Sequence, residues 1–330
     1  MGFFVEGQWH EDTEANRHER GRFVRKPSVF RNWITADGSP GPSGEGGFAA
    51  EPGRYHLYVA HACPWAYRTT LFRKLKKLEG AISITIAAPL YGERSWRFSD
   101  EPGCIPDTAN GKKELWEVYL LANPKYSGRV TVPVLWDKQR RTIVNNESSE
   151  IIRMLNSAFN AYTEDRADYY PEPLRAEIDR INDVVYTTVN NGVYRSGFAV
   201  TQEAYEEACR ALFETLDMLD QRLSHQRWLV GNQITEADWR LFSTMIRFDA
   251  VYHYHFKCNL KRIIDYPNLS NYVRDLYQQP GVAETVNMDH IKRHYYGSQK
   301  QVNPTGIVPL GPVGPAVDFM APHDRGRFGA

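Results

Sequence analysis

At 330 residues the chain is long enough for two domains and a large buried core. Its 40 basic and 40 acidic side chains cancel and 42% of it is hydrophobic, which argues against a nucleic-acid partner or a membrane-surface role, since both favour a basic bias. The four dispersed cysteines (63, 104, 209 and 258) support neither a disulfide framework nor a structural zinc site. The charged stretch from Met1 to Lys26 does not read as a signal peptide, and no apolar run approaches a membrane span, so a reducing, cytoplasmic setting is expected.

Residues 1–50 mix charges and aromatics with a Gly/Pro/Ser-rich patch at 37–47, which reads as loop. Phe3, Phe4, Trp9, Phe23, Phe30 and Trp33 predict an extension packed on a folded body. Alternation from Tyr55 to Val59 predicts a half-buried strand, followed by a helix over 64–79 and a second strand from Ala81 to Ile86, together a βαβ unit with parallel strands. A long irregular stretch containing Trp96 and Cys104 comes next. Residues 129–136 and 141–144 then predict a β-hairpin, and 145–150 the start of a helix. Pro133 falls inside a β-rich run, where proline is confined to edges, strand starts and bulges; a cis Val132-Pro133 bond would account for it.

The order βαβ then ββα points to a thioredoxin-like fold over 51–160. Beyond a polar link at 163–168 the chain reads as helical to about residue 300. Tyr205, Ala208, Leu212, Leu216, Leu219 and Leu223 form a core stripe, and Thr235 with its following acids predicts a capped helix start. Asn190-Asn191-Gly192 reads as a helix end, Ile263 to Pro267 as a break, and the next helix ends near Pro280-Gly281. The last segment, 301–330, lacks periodicity, yet Ile307, Val308, Leu310, Val313, Val317 and Phe319 predict a packed extended tail.

Cys63, in His61-Ala62-Cys63-Pro64-Trp65-Ala66, falls at the strand-to-helix junction. Pro64 suits the first helical turn, so Cys63 falls at the N-cap, where backbone N–H groups and the helix dipole favour a thiolate. The bland alternative is a cysteine packing as a small hydrophobe. A dithiol motif would carry Cys at position 66, where this chain has Ala66, so a resolving thiol must come from outside, and glutathione is the abundant candidate.

A thioredoxin-like domain followed by an all-helical one resembles the cysteine-type, Omega-like glutathione transferases. Cys63-Pro64-Trp65-Ala66, the 129–137 strand, Asn146-Glu147-Ser148, Asn190-Asn191-Gly192-Val193-Tyr194, Arg247-Phe248-Asp249 with Tyr252, His290-Ile291-Lys292 with His294-Tyr295-Tyr296, and Asn303-Pro304-Thr305-Gly306 are similar to the glutathionyl-hydroquinone reductases, the Xi class. The similarity spans nearly the whole chain.

The resemblance implies glutathione as co-substrate, no metal, and glutathionylated hydroquinones as substrates. It implies that Cys63 attacks the glutathionyl sulfur, that Tyr194 gives a proton to the departing ring carbon, and that Tyr252 and Tyr295 line the pocket and help keep the thiol ionised. It carries the glutathione subsite over as Trp96, Arg129, Val130, Thr131, Val132, Glu147 and Ser148, and suggests a homodimer. Trp96 could instead cap the core, Glu147 could be a helix-start acid, Tyr194 could be a core tyrosine, and His253 and His255 lie on different sides of a helix, which disfavours a metal pair. The competing functions are a general Omega-like thiol transferase or dehydroascorbate reductase, and a non-catalytic glutathione-binding interaction protein.

Overall fold

The computed structural model describes residues 2–11 and 18–329; residues 1 and 12–17 of the expected extension and the last residue of the expected tail lie outside that range. The strands are β1 (Phe3–Val5), β2 (Gln8–His10), β3 (His18–Glu19), β4 (Arg22–Phe23), β5 (Tyr55–Val59), β6 (Ser83–Ile86), β7 (Val134–Asp137) and β8 (Thr142–Asn145). The helices are α1 (Pro64–Leu75), α2 (Leu115–Ala122), α3 (Ser148–Ser157), α4 (Arg175–Val185), α5 (Gly192–Gly197), α6 (Gln202–Leu223), α7 (Glu236–Arg247), α8 (His253–His255), α9 (Pro267–Tyr277) and α10 (Met288–Ser298).

Two compact units result, and they do not follow chain order. The first combines Lys26–Asp168 with β1, β2 and Glu284–His294; the second combines Tyr169–Ala283 with the β3–β4 hairpin through Arg25 and with Tyr295–Ala330.

The first unit is built on a four-stranded sheet in the order β6-β5-β7-β8. β5 is parallel to β6 and antiparallel to β7, and β7 is antiparallel to β8. All five side chains of β5 are buried, as a central strand covered on both faces requires. α1 and α3 pack together, and Ala66, Leu71 and Phe72 of the one and Ile151, Ile152 and Leu155 of the other are all removed from solvent. Each large aliphatic or aromatic side chain there contributes about 1.5–3 kcal/mol by leaving water. The arm from Phe30 to Asn32 runs along β8: Asn32 N donates to Val144 O at 2.9 Å, Asn146 N to Phe30 O at 3.2 Å, and Asn145 Nδ2 to Asn32 O at 2.9 Å. Phe4 is buried and exchanges backbone hydrogen bonds with Gly128.

Several local expectations are corrected here. The first helix ends at Leu75, not 79, because Lys77 turns left-handed at φ +50°. Leu78 still reaches the core from the turn, which is why the apolar spacing ran on past the helix. The stretch taken as irregular contains α2, whose Glu114 and Glu117 form a reciprocal capping box. Apart from Glu117 its sequence is apolar all round and so carries no helical period. The half-buried strand expected over Tyr55–Val59 is instead fully buried, because β5 lies inside the sheet; outside the loop at 37–47 the extension also holds two short strand pairs, β1–β2 and β3–β4.

The second unit is helical. On α6 the side chains of Ala208, Leu212, Leu216, Leu219 and Leu223 are buried, while Tyr205 is half-buried with its hydroxyl on Lys257 O at 2.7 Å. Thr235 and Asp238 form a capping box at α7, and the buried Asp238 also accepts from Leu229 N and the Tyr272 hydroxyl, both at 2.8 Å. Asn190-Asn191-Gly192 does not end a helix: a π-turn over Tyr186–Asn190 runs on into α5. Asn190 is spent on a tertiary contact instead, its Nδ2 donating to Thr244 Oγ1 at 2.7 Å and Arg240 O at 3.1 Å. The tail meets the expectation only in part: Val317 and Phe319 are half-buried, with the Phe319 ring 5.2 Å from that of Tyr277. Ile307, Val308, Leu310 and Val313 are exposed, Leu310 almost completely at 96%. The tail's anchor is the buried Arg325, which donates to the carbonyls of Leu223, Gln226 and Arg227 and so satisfies the end of α6.

Candidate active site

In the first unit, Cys63 is the N-cap of α1 with extended backbone (φ −77°, ψ 119°), and Pro64 opens the first turn. Its carbonyl accepts from Tyr67 N at 2.9 Å and its N–H donates to Ala60 O at 3.2 Å, so the turn from strand to helix is closed by backbone alone. Cys63 is part-buried, and its Sγ lies 3.7 Å from Val132 O, to which the thiol donates. Val132 is joined to Pro133 by a cis peptide bond just before β7 begins, so the proline precedes the strand rather than interrupting it. A helix N-terminus presents unpaired amides and positive potential, the setting in which an anionic sulfur is stabilised. The other three thiols sit elsewhere: burial pushes up Cys104, Cys209 and Cys258.

Around this turn, Ser148 is the first residue of α3, with Oγ 3.5 Å from Arg68 Nη1. The Arg68 guanidinium is buried and lies 4.7 Å from the Trp65 ring centroid. Glu147 caps α3: its carboxylate accepts from Ser149 N at 3.2 Å, Ser149 Oγ at 3.0 Å and Ser28 Oγ at 3.0 Å. Trp96 is buried and stacked on His294 at 4.5 Å and 20°, and His294 is fixed through Nδ1 on Pro89 O at 2.7 Å. Arg129 is half-exposed with its guanidinium 6.0 Å from the Phe3 ring, and its carbonyl accepts from the Tyr126 hydroxyl. Val130 is buried, and the Thr131 carbonyl and N–H both meet the Tyr119 hydroxyl, at 2.8 and 3.3 Å.

In the second unit, Tyr194, Tyr252 and Tyr295 meet at their hydroxyls. Tyr295 Oη lies 2.5 Å from Tyr194 Oη and 3.0 Å from Tyr252 Oη, and all three side chains are buried. The Tyr295 phenol is pushed well above its ordinary range, first by burial and then by its two phenol neighbours. Two hydrogen bonds among three hydroxyls use two protons, and Tyr295 can donate to only one neighbour at a time.

Both helices that carry the outer tyrosines contain π-turns, over Tyr186–Asn190 and Phe248–Tyr252. Such a turn inserts one residue and re-aims the side chains of the next helical stretch, a recurrent feature of functional sites. The crowded neighbours are sorted by their partners. Tyr254 is 72% exposed, whereas Tyr252 is buried; Tyr296 gives its hydroxyl to Ala250 O at 3.0 Å, whereas Tyr295 joins the cluster. His255 is bound to Gln299 and lowered to about 4 by burial. Among the described residues, no group of three or more His, Cys, Asp or Glu side chains could hold a metal, and no helix is long and apolar enough to cross a membrane.

The family description "Glutathione S-transferase, N-terminal domain" matches residues 62–158, and "Glutathione S-transferase, C-terminal domain" matches 202–275. The chain is 54% identical to glutathionyl-hydroquinone reductase YqjG of Escherichia coli (strain K12) over 331 aligned residues, covering 100% of both chains. The chain belongs to the glutathionyl-hydroquinone reductase family of glutathione transferases. Another family member, PcpF of Sphingobium chlorophenolicum, is 54% identical over 315 residues, 96% of this chain and 97% of that one. The glutathione-bound structure of YqjG aligns with a TM-score of 0.90 at 53% identity, over 98% of this chain and 99% of that one.

In this glutathionyl-hydroquinone reductase relative, the thioredoxin-like domain followed by a helical domain is the fold that the order of elements predicted. Sequence reasoning missed three side chains set against the candidate residues: Arg25, Arg68 and His294. Arg68 follows the Cys63–Ala66 motif by two residues and His294 adjoins Tyr295, so proximity in sequence was an available signal. Arg25 lies in the charged N-terminal arm, and nothing in its spacing links it to Tyr194.

Proposed function

We propose that the protein catalyses the glutathione-dependent reduction of glutathionyl-hydroquinones to hydroquinones. The observation that carries this reading is the part-buried Cys63 at the α1 N-cap, in a motif whose fourth position is Ala66. Full-length identity to YqjG and PcpF supports the substrate class, and the glutathione-bound YqjG structure supports the co-substrate.

In the first step the Cys63 thiolate attacks the glutathionyl sulfur, the S–S bond forms and the aryl C–S bond breaks. Its electron pair stays on the ring carbon, which takes the Tyr194 proton, and the hydroquinone leaves. In the second step a further glutathione attacks the mixed disulfide, releasing oxidised glutathione and regenerating the Cys63 thiolate; the proton of that glutathione restores Tyr194. Tyr295 and Tyr252 hold the Tyr194 hydroxyl in a hydrogen-bonded chain and offer donors to substrate oxygens and to sulfur.

In this reading the thioredoxin-like domain, 51–160, binds glutathione. Val132 offers backbone groups to its cysteinyl arm, Glu147 takes the γ-glutamyl ammonium, Ser148 its carboxylate at the start of α3, and Trp96, Arg129, Val130 and Thr131 complete the subsite. The helical domain, 168–300, supplies the phenols. The protein acts in the cytoplasm without metal, membrane or nucleic acid, as a homodimer; exposed Ile307, Leu310 and Val313 favour association. The test is mass spectrometry of products after mixing enzyme, glutathione and a panel of glutathionyl-hydroquinones. Hydroquinone and oxidised glutathione in equal amounts are expected. Release of neither, with mixed disulfides still exchanged, would favour the general thiol transferase instead.

A further inference from the structure

We infer that Arg25 is a positioning residue for the acid step, a cation delivered by the N-terminal hairpin to the face of the Tyr194 ring. This rests on Tyr194 being the proton donor proposed above. The Arg25 guanidinium carbon lies 5.1 Å from the Tyr194 ring centroid and 5.6 Å from that of Phe23, so two aromatic faces receive it. Its Nε donates to Asn191 Oδ1 at 3.1 Å. Asn191 precedes Tyr194 by three residues, so tether and target lie on one side of the same helix.

The hairpin that carries Arg25 is fastened independently of it. Val200 N donates to Gly21 O at 3.1 Å, the His18 ring Nε2 lies 2.8 Å from Phe198 O, and Phe23 meets Phe198 edge-on at 5.2 Å. Arg22 pairs with Glu207, which also takes Arg195. Gly21, at φ +79°, closes the turn where a Cβ would come within 2.5 Å of Thr201 Oγ1. The chain therefore leaves the hairpin in a fixed direction, with Arg25 two residues beyond β4.

A guanidinium over a ring is attracted by the ring's negative face, and the attraction grows as the ring gains electrons. Tyr194 gains them when its proton moves to the ring carbon of the departing hydroquinone and a phenolate remains. Arg25 thus interacts more strongly with the state after proton transfer than with the state before it, which is what speeds a step. Tyr295 acts on the same phenolate in the ring plane, through the 2.5 Å hydrogen bond, and Arg25 acts from above. Among the described residues, the charged or titratable groups that meet this cluster include Arg25 on Tyr194, Tyr295 and Tyr252 at the hydroxyls, His255 with its ring 6.2 Å from that of Tyr295, and the buried Arg247 acting on Tyr295.

The test is a mutant cycle between Arg25→Gln and Tyr194→Phe, read on thioether cleavage, with Arg25→Lys as the charge-retaining variant. Arg25→Gln is expected to lower kcat by about three- to tenfold and to move the basic limb of the pH profile upward by roughly half a unit to one unit. In the Tyr194→Phe enzyme the same change should add nothing, and Arg25→Lys should keep most of the rate. Equal losses with and without the Tyr194 hydroxyl, or an unmoved basic limb, would overturn the proposal. A readout independent of turnover is 13C NMR titration of Cζ-labelled tyrosine, with Tyr194 assigned from Tyr194→Phe. Arg25→Gln should raise its apparent pKa, and an unchanged value overturns the proposal whatever the enzyme's substrate proves to be. Absence of hydroquinone release by the wild type, with that NMR shift present, would instead refute the reaction assigned above.

Discussion

The thiol turn of the first unit and the phenol cluster of the second are built on opposite principles. Cys63 is held by backbone: a strand end, a proline at the first helical position and the carbonyl before a cis-proline place its sulfur. The cluster is held by side chains from distant segments, with Tyr194, Tyr252 and Tyr295 bonded hydroxyl to hydroxyl and Arg25 stacked on the first. A backbone-built site tolerates changes around it and fails only when its reacting atom is removed. A side-chain-built site degrades in steps as members are lost.

The largest effect should come from Cys63→Ala, which leaves the turn intact but removes the nucleophile. Hydroquinone release should fall by about a thousandfold or more in single-turnover assays, with glutathione binding by calorimetry retained. Loss of binding as well would break the contrast, because the sulfur would then also be holding the turn together. Tyr194→Phe should lower thioether cleavage by about a hundredfold or more while mixed-disulfide exchange, which puts no proton on carbon, is far less affected. Parallel losses in both assays would remove Tyr194 from the acid role.

Acid should weaken the first unit in a predictable direction. His56 is buried on the central strand with its two ring nitrogens on the hydroxyls of Ser83 and Thr85, at 2.7 and 2.8 Å, and burial lowers it to about 4. The unfolded chain takes up this proton near pH 6.5, before the folded one does. The stabilisation is therefore complete above about pH 6.5 and is lost as pH falls toward 4, reaching on the order of 3 kcal/mol. Urea titrations across that window should show the decline, and His56→Gln should flatten it.

The smallest effect separates members of the cluster. Tyr295→Phe removes both hydroxyl–hydroxyl bonds at once and should cost about 1–3 kcal/mol in urea unfolding, whereas Tyr252→Phe removes one of them and should cost less. Equal costs would mean that Tyr295 does not bridge the other two.

That contrast also decides what could be read in advance. The sheet, the placement of Cys63 at the helix start and the cis bond at Pro133 derive from alternation, from proline's fixed φ and from its missing N–H, all local rules. α2 escaped because an apolar helix has no polar face to set a period. Asn190-Asn191-Gly192 misled because asparagine serves equally as a helix stop and as the buried donor it proves to be toward Thr244. Tyr252 and Tyr295 could be named only through resemblance to a family, since spacing does not tell Tyr252 from Tyr254 or Tyr295 from Tyr296. Only the tertiary hydroxyl partners do. The exposed tail residues failed for a further reason: apolar content alone does not say what a segment packs against.

The run of the chain beside β8 has a practical consequence. Residues 30–32 occupy amides and carbonyls that would otherwise stand as a bare sheet margin. A protease nick or shortened expression product that releases them would leave the Cys63 turn in place and uncover a template for another polypeptide to add itself. Such a fragment would keep its chemistry at first and lose it to precipitation, with solubility declining before activity per folded molecule does.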